Sequence, residues 1–518
     1  MIRAAIVALA MLGSAVAAQA QESRSDRLIV GFASEGQSLD PARYNSGSDY
    51  NSLGQMYEQL IRPDPSGKMV NWLAQSWEVT GDKDHPIIDI HLRPGIKFHN
   101  GYPLTSADFE FSYKRQSDPK VGRYSFLFAA IDHFEIIDDL HFKIHFNRPD
   151  ANFITQNLSL FAMSKRYFDE VGDEQFAKQP IGTGPWKYVS RKIGEEMQFD
   201  ANDQYWNEAY KPKFKHLTIR VIPEDTTRIA ALKTGAVDWI DAVPLHEIPS
   251  FQSDPKIKTA SLSAGQKLFI LFNTHMENSP FKDIRVRQAV AHAIDMQAIL
   301  KTTVFGQGET YAVLAPGDIG YDPSIKPLPY DVAKAKKLLA DAGFARGFEI
   351  PCYDVVSSTI PNLKNVGDAI FAYLGVVGIR CKTNYLEYAA WINSARREAL
   401  PEMDGLQVMT WAYTAVPGDP NRDWNGRVHT LIPGTGLGAF SYTADSELDK
   451  VIEQQNKILD GNERADLIKK ISVMINDRLA GGVPLYLPKT TYAWKKEIDF
   501  TPWPWTWHEM IQVSPAKQ

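Results

Sequence analysis

Polar and apolar positions follow two rhythms along this chain. In the first half, short alternating stretches sit between turn signals. Leu28 to Ala33 reads as a strand running into a polar loop, Ser34 to Pro41. Pro86 to Arg93 alternates and stops at Pro94-Gly95, and His133 to Asn147 gives two strands around Asp138-Asp139, the mark of a hairpin. Thr105-Ser106-Ala107-Asp108 sets a hydroxyl three residues before a carboxylate, which predicts a capping box ahead of an amphipathic helix. Thr227 to Thr234 predicts a short helix stopped by Gly235, followed by a strand at Val237-Asp238-Trp239-Ile240. Past residue 270 longer helices appear. Asp283 precedes one whose apolar side carries Ile284, Val286, Ala289, Val290, Ala293 and Ile294, and Asp331 to Ala342 forms another that ends at Gly343. A strand, helix and strand follow at 348–386, then a strand at 406–411 and a mostly helical stretch from Ser446 to Leu479. The aromatic stretch from Tyr486 to Trp507 returns to strand and loop. Strands alternating with helices predict an α/β architecture.

Length adds that one core is not enough. The chain has 518 residues, whereas single cores stop growing near roughly 250–300. Pro and Gly are spread out, so no flexible linker divides the chain, and the lobes are expected to be joined by crossing segments. Charged residues make up 23% and the net charge is -6, which argues against a general nucleic-acid binder. At the N-terminus one basic residue, Arg3, precedes an apolar run from Ala4 to Ala18 and the small-x-small site Ala18-Gln19-Ala20. This predicts an export signal over residues 1–20 and no membrane insertion, since the run is shorter than the roughly 20 residues a span needs. An exported protein can oxidise its cysteines. Cys352 and Cys381 lie in two strand-like runs around a helix-like stretch, so a disulfide and a pair of reduced core thiols both stay open.

The search for reaction chemistry comes back empty. There is no His-Glu-x-x-His, phosphate loop, Gly-x-Ser-x-Gly elbow or dinucleotide fingerprint. His141 and His145 share the polar side of a strand with Lys143, which predicts a solvated face and no metal site. His429 reads as a lone surface loop histidine. No catalytic residue, cofactor or metal is expected. A large exported two-lobe protein without a catalytic set fits a binder better than a catalyst.

One run is more specific. Leu73-Ala74-Gln75-Ser76-Trp77-Glu78, followed by Leu92-Arg93-Pro94-Gly95-Ile96-Lys97-Phe98-His99-Asn100-Gly101 and on to Asp108, resembles the signature of the family 5 extracellular solute-binding proteins. These are the dipeptide, oligopeptide and nickel receptors of ABC importers. Further matches follow in order: Leu39-Asp40-Pro41, Gly182-Thr183-Gly184-Pro185-Trp186, Asn202 with Tyr205-Trp206, Arg228, Phe272-Asn273-Thr274 and Arg285-Val286-Arg287-Gln288-Ala289. The resemblance implies a periplasmic, two-lobe, type II, cluster C-like binding-protein fold with an extra β-rich subdomain inserted in lobe I. Lobe I is then placed at 27–58, 205–267 and 490–518, the insert at 59–204 and lobe II at 268–489. Leu268–Asn273 and Pro484–Thr491 are the expected crossings.

The resemblance also implies where ligand sits. Ser48, Asp49 and Tyr50 match the family's cleft loop in lobe I, where Asp49 offers a carboxylate to a cation; a helix cap is the competing reading. Trp411, Tyr413 and Thr414 follow a lobe II strand, and Arg422 and Trp424 lie in a cleft loop beyond. Peptide-binding members carry an Asp three residues after that Trp, where it holds the ligand's ammonium group. This chain has Thr414 there, and a neutral hydroxyl does not balance a buried ammonium charge. The expected protein is therefore a monomeric importer receptor that hands a peptide derivative, a glycoside or saccharide, or an opine-like conjugate to permease subunits. An ordinary di- or oligopeptide receptor is the alternative; a nickel-chelate receptor or a secreted hydrolase fits less well.

Overall fold

The computed structural model describes residues 26–44, 47–64, 68–122, 128–151, 153, 160–263, 265–356, 360–387, 406–409, 418–432, 437–438, 440–441, 444–503 and 508–517. The expected export signal lies outside them. Among the described residues no helix is long and apolar enough to cross a membrane.

A run of strands spans the molecule in the order Ile379–Glu387, Phe348–Val356, Leu406–Met409, Leu268–Phe272, Val483–Lys495, Trp239–Ile240, Arg27–Phe32, His216–Val221, Glu196–Ala201 and Trp186–Lys192. Two parallel groups sit inside it. Arg27–Phe32 pairs parallel with His216–Val221 and with Trp239–Ile240, while Phe348–Val356 pairs parallel with Ile379–Glu387 and Leu406–Met409. Leu268–Phe272 lies between two antiparallel neighbours, Leu406–Met409 and Val483–Lys495, and is buried at every position, so it reads as a continuous apolar run.

The strand Val483–Lys495 joins the two groups. Its first half pairs with Leu268–Phe272 and Gly308–Thr310, and its second half with Ile257–Ser263 and Trp239–Ile240. Ile257–Ser263 and Leu268–Phe272 thus run antiparallel alongside one 13-residue strand, and both chain crossings lie side by side. Few and adjacent crossings are what a hinge between packed bodies requires. A buried ion pair, Lys267 Nζ to Asp318 Oδ2 at 2.7 Å, pins the start of the crossing strand to the second body.

A separate four-stranded antiparallel sheet, Ala74–Gly81, Pro86–Leu92, His141–Phe146 and Ile131–Asp138, has its own core of Leu73, Ile88, Ile90, Phe109, Phe142 and Ile144. The sequence division ran this inserted part on to 204. The hairpin Trp186–Lys192 and Glu196–Ala201 instead hydrogen-bonds onto His216–Val221. The cause is apolar: Trp186, Met197 and Phe199 pack with Leu28, Val30 and Leu53. The insert also touches the second body, where the Ala151 amide donates to the Asn456 carbonyl at 2.8 Å.

The two cysteines are bonded to each other, with Cα atoms 5.2 Å apart. The helix Leu363–Val376 carries the chain between parallel neighbours Phe348–Val356 and Ile379–Glu387, which sets Cys352 opposite Thr383 and Cys381 opposite Ile350.

Candidate functional site

In open α/β sheets ligands bind beyond the carboxyl ends of the parallel strands. In the first body that place is the loop after Arg27–Phe32. It leads to the helix Gly47–Met56 and is held from several sides. Asp241 Oδ1 accepts from the Ala33 amide at 2.8 Å, and Ser34 Oγ and Ser48 Oγ lie 2.8 Å apart. Asp49 Oδ1 accepts from the amides of Gln37 and Ser38 at 2.6 and 2.9 Å, and Arg191 donates to the Gly36 carbonyl at 2.6 Å. The loop is pressed so closely to the helix start that a Cβ on Gly36 would stand 2.7 Å from Asp49 Cα.

This clasp corrects the sequence reading of Asp49. The residue is fully buried and its Oδ1 is committed to loop amides, so it shapes the loop and is not offered to a cation. Tyr50 is half-buried, with its ring 4.9 Å from Tyr44 and 5.3 Å from Phe161. Ser48 stays at the loop's edge through its contact with Ser34.

In the second body the strand Leu406–Met409 lies beside the crossing strand, and its carboxyl end leads toward Trp411, Tyr413 and Thr414. Those three lie outside the described residues. Beyond them the segment from Gly418 is tied down by charge. Arg464 meets both oxygens of Asp419 at 2.8 Å, and Arg427 meets Asp423 through Nε at 2.8 Å and Nη2 at 2.5 Å. Arg427 also lies over the Phe269 ring, 4.1 Å from its centroid. Planar two-point pairs of this kind fix geometry as well as charge.

Two further readings are corrected here. Trp424 is wholly buried in a cluster with Val313, Leu314, Leu448, Ile452 and Ile468, so its indole packs the second body instead of facing a ligand. The helical turn Asn421–Asp423 sends successive side chains inward and outward, and Arg422 is the half-buried one. His429 is no surface residue: only 1% of it is exposed, with Nδ1 2.7 Å from the Thr430 carbonyl and Nε2 3.1 Å from Glu453.

Sequence reasoning missed two buried carboxyls. Glu58 receives Trp72 Nε1 and Tyr205 Oη at 2.6 Å and Trp206 Nε1 at 3.1 Å. Burial pushes it above the usual carboxylate range while these hydrogen bonds pull it back. Beside it Arg62 pairs with Glu509 between the rings of Trp72 and Trp503. Asp354, near the carboxyl end of Phe348–Val356, is pushed up to about 7, by burial first and then by the Asp368 charge; the Val355 amide opposes the rise. Its Oδ2 finds no partner among the described residues and rests where a side chain on Gly367 would stand, 1.9 Å away. A lone Asp inside an apolar strand was the only signal for it.

A cavity of about 290 Å³ opens elsewhere in the second body, lined in part by Asp295, Tyr330, Asn476 and Leu485. It contains none of the residues read from sequence as ligand contacts.

The described pieces are two hydrogen-bonded loop segments, one following Arg27–Phe32 and one beginning at Gly418. Residues 68–429 match the bacterial extracellular solute-binding proteins, family 5 Middle. Heme-binding protein A of Haemophilus influenzae is 28% identical over 493 residues, 89% of this chain and 87% of that protein. Di/tripeptide-binding protein 1 of Pseudomonas aeruginosa is 27% identical over 513 residues, covering 92% of each. Among solved structures, the periplasmic binding protein MoaA of A. tumefaciens R10, in complex with mannopinic acid, superimposes with a TM-score of 0.75 at 26% identity over 95% of this chain and 100% of that one. The architecture is thus the two-lobe fold of type II periplasmic binding proteins, and the chain belongs to the family 5 bacterial extracellular solute-binding proteins.

Proposed function

We propose that this protein is the periplasmic receptor of an ABC importer, working as a monomer and altering no covalent bond in its ligand. Lobe I takes in 27–58, 205–267 and 490–518 together with the 186–201 hairpin, and lobe II takes in 268–489. A ligand that touches both lobes only when they close stabilises the closed form by its differential affinity. The permease subunits then recognise that closed shape.

Ligand contacts are assigned to Ser48 and Tyr50 on one side and to Trp411, Tyr413, Thr414 and Arg422 on the other. Trp411 and Tyr413 supply apolar faces for a ring or an aliphatic chain. The observation that carries the choice of ligand is Thr414, a neutral residue where peptide-binding members of the family hold an ammonium group with Asp. A solute without a free peptide amine is favoured: a peptide derivative, a glycoside or saccharide, or an opine-like conjugate. The mannopinic acid complex of MoaA supports the last class. The di/tripeptide-binding relative supports the second reading, an ordinary peptide receptor.

A thermal-shift panel of dipeptides, saccharides, opines and metal chelates separates these readings. The expected result is a large shift with an amine-free or conjugated solute and little with simple dipeptides. Strong stabilisation by dipeptides would move the assignment to the second reading. Trp411→Ala is expected to weaken binding of the active compound by roughly 1–3 kcal/mol while circular dichroism stays unchanged. Calorimetry showing unaltered affinity would remove Trp411 from the site.

A further inference from the structure

The solvent face of the inserted sheet carries an unusual row of side chains. Strand periodicity sends Phe142, Ile144 and Phe146 into the core and His141, Lys143 and His145 outward. Register then sets His91 opposite His141 and Asp89 opposite Lys143 on one neighbour, and Glu135 opposite Lys143 and His133 opposite His145 on the other. Four imidazoles and two carboxylates thus share one face with one lysine.

At one end of this row three ligand-type atoms converge. His141 Nε2 lies 2.7 Å from Asp89 Oδ1, and His91 Nε2 lies 3.6 Å from the same oxygen. The two rings are stacked, with centroids 4.0 Å apart and planes 18° from parallel, so both Nε2 atoms are carried to the same carboxylate. One donor atom from each of the three residues lies within 4.8 Å of the other two. Around a tetrahedral ion with bonds of about 2.0 Å, donor atoms stand roughly 3.3 Å apart. The observed 2.7 and 3.6 Å straddle that spacing, and turning the two stacked rings about their side-chain bonds would aim both Nε2 lone pairs at one ion beside Asp89.

We propose that Asp89, His91 and His141 form a binding site for a divalent transition-metal ion of the zinc or nickel type, separate from the solute cleft. Two imidazoles and a carboxylate suit such borderline ions and leave open positions for water. The ligands come from the adjacent strands Pro86–Leu92 and His141–Phe146, whose backbone pairing holds them in register before any ion arrives. Asp89 is the most enclosed of the three at 14% side-chain exposure, which fixes its direction, while His91 at 53% leaves the site open to solvent. The opposing charge is Lys143, whose Nζ is 3.6 Å from Asp89 Oδ2. It engages the oxygen that the histidines do not use, and its four-carbon stem lets the ammonium swing outward. The other end of the row does not converge in this way: His145 turns to Glu135 at 2.8 Å and His133 to Asp132 at 2.8 Å, on separate carboxylates.

The test is calorimetric titration of the whole protein, without a histidine tag, with zinc chloride and separately with nickel chloride. One equivalent is expected to bind, with His91→Ala and His141→Ala each weakening it at least tenfold. The double variant His133→Ala/His145→Ala is expected to leave affinity unchanged. His91 is half exposed, so its variant keeps the fold even if the His141 variant does not; circular dichroism checks both. The proposal is overturned if neither metal binds, if His91→Ala leaves affinity unaltered, or if the double variant abolishes binding.

Discussion

A single buried carboxyl sets a pH dependence for the whole fold. Asp354 ordinarily titrates near 3.8 and is held at about 7 in the folded protein. It therefore binds its proton more tightly when folded, and its contribution to stability is present below pH 4 and lost as pH rises towards 7. Above that, the native state carries a buried charge at a cost of roughly 4 kcal/mol. Asp354→Asn is expected to gain stability relative to the parent between pH 5 and pH 8, read from urea midpoints at each pH. A constant gap would show that the carboxyl titrates normally. His99 runs the other way. Burial holds it down at about 4, and Nδ1 accepts from the Gly182 amide while Nε2 faces the Gly184 carbonyl. Its contribution is present at neutral pH and lost as pH falls from 6.5 towards 4. At this scale the sequence was only partly legible. It offered Asp49 and Trp424 as ligand contacts because loop position and residue type suit a cleft, but inward direction is decided by tertiary packing, which one chain's pattern does not encode.

At the scale of elements the reading held better, because caps and periodicity are local. Thr105 and Asp108 form the reciprocal cap before Ser106–Ser117, Gly235 ends Asp225–Thr234 in a left-handed conformation, and Asp283 caps Ile284–Ala293. The family motifs prove to be joints between elements. Gly182 and Gly184 lie against the end of Gly47–Met56, and a Cβ on either would come within 2.0 and 2.6 Å of the Met56 carbonyl. Asn202 then donates to the Gly184 carbonyl at 3.0 Å. Gly182→Ala is expected to cost about 2 kcal/mol or more, since only backbone can move aside; an unchanged urea midpoint would contradict this close approach. The cystine joins neighbouring strands 29 residues apart in sequence. Replacing both cysteines by serine is expected to lower stability by about 3 kcal/mol through the added freedom of the unfolded chain, measured under non-reducing conditions against the parent.

For the whole molecule, the two-lobe plan was visible in length and in the family signature, and the strand-like runs at 268–273 and 484–491 became Leu268–Phe272 and part of Val483–Lys495. The edge of the inserted part was placed too late, because the 186–201 hairpin alternates like its neighbours and nothing local says which sheet it joins. Ligand at a hundred times its dissociation constant is expected to raise stability by about 2.7 kcal/mol, with a scattering profile more compact than that of the free protein. Stabilisation without contraction would argue for a ligand held by one lobe alone.

The strand Val483–Lys495 also governs when the protein can finish folding. Among the described residues it is the segment hydrogen-bonded to both Leu268–Phe272 and Trp239–Ile240. Neither half of the sheet is complete until this strand has been made, because it follows in the chain every strand it pairs with. The two halves of the sheet therefore lock together through pairings whose partners lie far apart along the chain, the kind of contact that forms late in folding.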